Sequence, residues 1–124
     1  MSSRVVHFEL PSSDFASSRK FYENVFGWTF SQYPGPMEYW LAKTGEPGVP
    51  GIDGALGGPA NEVHGTVNTI GVDDLDEVLK MVVANGGQVF SPRDEIPGVG
   101  WVAYVREPGG ALLGIFQAMP GSMM

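Results

Sequence analysis

His7 and Glu9 sit two residues apart in the run Val5-Val6-His7-Phe8-Glu9-Leu10. On a strand that spacing puts an imidazole and a carboxylate on one face, while Val6, Phe8 and Leu10 take the other. Such a pair supports three kinds of chemistry. It can contact a ligand through hydrogen bonds, with His7 bonded to a neighbour such as Glu9. It can contribute His7 to a metal site. It can also work as an acid or base, with Glu9 as the base or with its carboxylate raising the imidazole pKa toward working pH.

His64 is the other histidine of the chain and lies three residues before Val67. On a regular strand that offset faces it away from position 67, although a bulge would re-aim it. A His7–Glu9–His64 cluster is therefore one expectation, and an exposed residue at a strand entrance is the other. Four aromatics, Tyr39, Trp40, Trp101 and Tyr104, offer broad apolar contact with polar tips, which suits a planar ligand. Strand alternation lets only about half of them face one side. Packing in a core or a dimer interface is the competing role.

The composition narrows the classes of function. With 124 residues, 43% hydrophobic and 17% charged, the chain suits one compact domain with a real core. A net charge of -7 with only 7 Lys and Arg argues against nucleic acid and anionic membranes as partners. The absence of cysteine excludes disulfides, thiolate zinc sites and cysteine nucleophiles, and fits a cytoplasmic protein. Met1-Ser2-Ser3-Arg4 leads directly into the first strand, so neither a leader nor a membrane span is expected. No phosphate loop, dinucleotide fingerprint or nucleophile elbow is present.

The elements that must carry His7 and Glu9 follow from caps and periodicity. A helix is expected from Asp14 to Phe26, capped by Ser13 or Asp14 and ended by Gly27, with Phe15, Tyr22, Val25 and Phe26 on one face. Strands are expected to begin at Trp28, to run from Met37 to Ala42 and to run from Gly51 to Leu56, with Gly57 to Asn61 as a linker. Thr66 to Val72 reads as a strand. Leu75, Val78, Leu79, Val82 and Val83 follow the helical template behind an Asp74 cap, and Gly86-Gly87 ends that helix. Gln88 to Phe90 reads as a strand, Ser91 to Gly100 as a turn-rich loop able to act as a lid, and Trp101 to Val105 and Ala111 to Gln117 as the last strands.

The pattern repeats at an offset of sixty: Asp14 with Asp74, Gly27 with Gly87, Phe30 with Phe90, Ser31 with Ser91, and Gly54 with Gly114. The expected fold class is α+β, with module one at 4–58 and module two at 64–118 of a single domain. Each is a βαβββ module. Two such modules form a curled, cup-shaped eight-stranded sheet with the helices outside and a concave face free for a ligand.

This repeat resembles the vicinal oxygen chelate superfamily of glyoxalases, bleomycin-resistance proteins and extradiol dioxygenases. The likeness is carried by His7-Phe8-Glu9-Leu10 with Asp14, Phe21-Tyr22 and Phe26-Gly27-Trp28. Val72-Asp73-Asp74-Leu75-Asp76 with Gly86-Gly87, and Glu107-Pro108-Gly109-Gly110, extend it. The resemblance implies up to four metal ligands, on the first and last strands of each module. His7 falls on one such position, whereas Val67, Gly54 and Gly114 fall on the others. A lone imidazole cannot hold a catalytic divalent ion, so a metal cofactor is open but not favoured. The resemblance thus implies a homodimeric binding protein of the bleomycin-resistance type. A metal-dependent lyase, isomerase or dioxygenase using His7 as a ligand is the alternative.

Overall fold

The structure, a computed structural model, describes residues 3–121. It contains the two βαβββ modules, and the chain is α+β. Its contacts divide it into two compact units. One spans His7–Val67, and the other runs from Asn68 and takes in the opening residues through Val6.

The first module comprises β1 (Arg4–Leu10), α1 (Phe15–Phe26), β2 (Thr29–Gln32), β3 (Tyr39–Lys43) and β4 (Gly54–Gly57), followed by a short helix, α2 (Pro59–Val63). Its strands lie in the order β2-β3-β4-β1. β1 and β4 are parallel, and the other pairs are antiparallel. Asp14 caps α1 by accepting the Ser17 N–H at 3.1 Å, and Gly27 ends it at φ 74°, a left-handed turn that glycine adopts without a Cβ clash.

The expected apolar face of α1 is only partly used. No residue of α1 is fully buried, and Phe21, Val25 and Phe26 are more than half exposed. Instead the aromatics pack on one another around Trp28, with Tyr22 stacked on it at 4.9 Å between ring centroids. The segment expected to be a linker holds α2, because Pro59 occupies the first helical turn, where a missing N–H costs nothing.

The second module comprises β5 (Val67–Gly71), α3 (Leu75–Ala84), β6 (Gln88–Ile96), β7 (Gly100–Arg106) and β8 (Leu112–Ala118). Its order, β5-β8-β7-β6, reproduces the first module's pairing, with β5 parallel to β8. Asp74 caps α3 through the Glu77 N–H at 3.1 Å. Leu75 is completely buried and packs with Val72, Ala103, Val105 and Ile115 beneath the helix.

The expected lid at Ser91 to Gly100 is corrected: through Ile96 it is strand β6, paired with β7. Pro92 obscured it. A proline cannot donate to a ladder, but β6 is an edge strand, and shifts of register on both sides of Ser91 accommodate it.

Candidate functional site

The first module's sheet has two different faces. Toward α1, the Phe8 ring lies 5.8 Å from that of Trp28, and the Arg19 guanidinium sits 3.7 Å above the Trp40 ring. Ala42 and Leu56 are buried on this side, at register positions matching Trp40 and Gly54. His7, Glu9 and Tyr39 occupy the opposite face.

There the three side chains form a chain of hydrogen bonds. The Tyr39 hydroxyl donates to Glu9 Oε2 at 2.7 Å, and His7 Nε2 lies 3.0 Å from the same hydroxyl. Glu9 is 3% exposed. Gly58, at φ +67°, closes behind it. A Cβ there would stand 2.9 Å from Glu9 Oε2 and 3.1 Å from the Tyr39 ring, so only glycine lets the backbone approach so closely. Glu9 is thus placed to hold Tyr39.

Two expectations about His7 change. Tyr39 stands between it and Glu9, so no direct pair is needed to explain the geometry. The imidazole pKa lies below its ordinary value rather than above it, because burial disfavours the cation; the Asp53 carboxylate opposes this more weakly. His7 is therefore a neutral imidazole at neutral pH.

The remaining aromatics divide as alternation requires. Tyr39 shares the face of His7, and Trp40 lies on the α1 side under Arg19. In the second module Trp101 packs against the core beneath α3, with the Arg93 guanidinium 4.9 Å from its ring. Tyr104 is on the other face, where a Cβ on Gly114 would come within 3.3 Å of its ring and 2.7 Å of Thr69 Oγ1.

The expected His7–Glu9–His64 cluster does not form. His64 is exposed and ends α2 in a left-handed turn at φ 55°. The last-strand position also shifts. Gly54 pairs with Phe8 and lies on the α1 side, so the residue level with Glu9 on the His7 face is Ala55. Val67 is fully buried. Among the described residues no three His, Asp or Glu side chains converge as a metal site would require. The residues do not fit the divalent ion that the fold implies in its metal-dependent members. Sequence reasoning missed the link through Tyr39, although period-two alternation from Trp40 was the signal that separated the two aromatics.

Comparison with known proteins agrees with this architecture. Residues 4–45 match a model of the bleomycin resistance protein-like N-terminal family. The chain is 33% identical to CFP32 of Mycobacterium tuberculosis, provisionally named a glyoxylase, over 89% of this chain and 44% of that protein. The chain therefore spans less than half the length of the curated relatives it matches. A Vibrio splendidus 12B01 member of the glyoxalase/bleomycin resistance protein/dioxygenase superfamily superimposes with a TM-score of 0.68 at 20% identity, covering 95% of this chain and 100% of the other. Methylmalonyl-CoA epimerase of M. tuberculosis does so at 0.69 with 13% identity, covering 94% and 89%. The fold is thus that of the vicinal oxygen chelate proteins. In sequence, the chain is similar to proteins named for bleomycin resistance and glyoxylase.

Proposed function

We propose that this chain is a small-molecule-binding protein of the bleomycin-resistance type, working as a homodimer and holding its ligand without a metal on the sheet face that carries His7. The observation that carries the reading is the His7–Tyr39–Glu9 chain of hydrogen bonds. It occupies the position where a metal-dependent relative would begin its ligand set, and it commits His7 Nε2 to a tyrosine. The residue level with Glu9 on that face is Ala55, which carries no metal-ligating atom. A neutral imidazole whose Nε2 is already engaged suits an aromatic or amphipathic ligand better than a chelated anion.

The test uses the native chain. Metal content is measured directly, and Ni²⁺, Zn²⁺ and Fe²⁺ are titrated against thermal stability in the native protein and in His7→Ala. Metal-free bleomycin and a flat aromatic dye are titrated in parallel. The expected result is no stoichiometric metal, no metal-dependent stabilisation, and saturable binding of an organic probe weakened in His7→Ala. A bound metal, or stabilisation by metal that His7→Ala abolishes, overturns the metal-free reading.

A further inference from the structure

The hydrogen-bond chain has a direction, and the direction decides what His7 offers a ligand. A phenol has one proton to donate, and Tyr39 gives it to Glu9 Oε2. Its oxygen can then engage His7 Nε2 only as an acceptor, so Nε2 must carry the proton. His7 is neutral, so the other ring nitrogen, Nδ1, bears a lone pair. No side chain or backbone group among the described residues bonds Nδ1. It is also not sealed from solvent, since the only buried side-chain nitrogen or oxygen lacking a partner among the described residues is Arg19 Nε. The inner end of the chain is closed by Gly58 behind Glu9 and Tyr39. Glu9 is buried, and Nδ1 of the half-buried His7 is the unbonded ring nitrogen of the array, so a ligand meets it at His7.

We infer that His7 Nδ1 is the site's hydrogen-bond acceptor, locked in that role by Tyr39 and Glu9, and that it selects uncharged ligands bearing an O–H or N–H donor, such as phenols. This rests on the binding site proposed above and names its ligand class. A site built to accept a donor rejects the analogue that lacks one, because the lone pair would lose its water without replacement. Anions are disfavoured as well. The Glu9 carboxylate stands one residue behind His7 in the hydrogen-bond chain, and Asp53 is near enough to act on the imidazole. Tyr39 and Glu9 are positioning residues here, since neither needs to touch the ligand.

The test has two parts on the full chain. Ring-nitrogen NMR of isotope-labelled histidine reads the tautomer. The chain has only two histidines, so His64→Ala assigns the His7 signals. The expected spectrum is the Nε2–H tautomer at neutral pH, and an Nδ1–H tautomer or an imidazolium overturns the inference. The second part compares p-cresol with p-methylanisole, which has a similar shape but no donor. p-Cresol is expected to bind about threefold to tenfold more tightly and to shift the Nδ1 resonance. Tyr39→Phe frees the imidazole to change tautomer and is expected to erase that preference. Equal binding of the two probes by the native chain, or a preference that survives Tyr39→Phe, overturns the inference but not the binding site. Binding of neither overturns both.

Discussion

Tyr39→Phe is the most informative single change, and its cost can be worked from the structure. The substitution removes one oxygen and keeps the ring. That oxygen donates at 2.7 Å to a carboxylate that is 3% exposed. A hydrogen bond to a charged group contributes about 1.5–3 kcal/mol. The second lost contact, to His7, costs less, because His7 is only half-buried and water can replace the phenol. The expected destabilisation is about 2–3 kcal/mol.

The origin of that loss is separable. In a Glu9→Gln background the tyrosine donates to a neutral amide, and its removal is expected to cost about 0.5–1.5 kcal/mol. The double-mutant cycle of Tyr39→Phe and Glu9→Gln should then show a coupling of about 1–2 kcal/mol. Urea unfolding of the four proteins measures this, with equal slopes required so that the midpoints compare stability alone. A coupling below about 0.5 kcal/mol, the level expected of independent sites, refutes the claim that Tyr39 serves the Glu9 carboxylate.

Other outcomes follow from the same geometry. Because burial lowers the His7 pKa, the unfolded chain binds its proton more readily; stability should be fully present above the ordinary histidine value of 6.5 and fall as pH drops below it. Unfolding measured against pH should show that loss in the native chain and a shallower one in His7→Gln, with the Asp53 carboxylate opposing the effect of burial and Tyr39 bonded to the imidazole. Gly58→Ala places a side chain in a backbone region nearly restricted to glycine and against Glu9 Oε2, so a loss of at least about 1–3 kcal/mol is expected in urea unfolding. Asp74→Ala removes the cap bonded to the Glu77 N–H and should cost about 1 kcal/mol by the same assay. Sedimentation at micromolar concentration tests the proposed homodimer, which a monomer would refute.

The helices were legible because their signals are local. An aspartate whose side chain reaches an N–H three residues on, and a glycine able to turn left-handed, act within a few residues of the chain: α1 ends at Gly27, and α3 ends at Asn85 with the left-handed Gly86 just after it. β6 was hidden because Pro92 reads as a breaker until its partners are known: the edge position and the register shifts that tolerate it belong to the sheet. The site was half visible. Period two put His7 and Glu9 on one face, but choosing between Tyr39 and Trp40 required the pairing of β3 with β4, which is a long-range fact.

The repeat at sixty shows most sharply where sequence symmetry stops being structural symmetry. It aligns Glu9 with Thr69 and Gly54 with Gly114. Thr69 does pair with Gly114, but Glu9 pairs with Ala55, one residue beyond Gly54. A slip of one residue across a sheet exchanges its faces. Gly54 consequently lies against Phe8, where a Cβ would stand 2.5 Å from three ring carbons, and it serves as clearance for an aromatic under α1. Gly114 is clearance beside Thr69 and Tyr104. The two glycines look equivalent in the chain but face different chemistry. A carboxylate placed at Gly54 would collide with Phe8 and could not complete a ligand set with His7. The position that shares the face of His7 is Ala55, fully buried between Glu9 and Leu41. With a methyl group at that position, the polar partner of Glu9 on this face of the first module is Tyr39, and through it the carboxylate is linked to His7 Nε2.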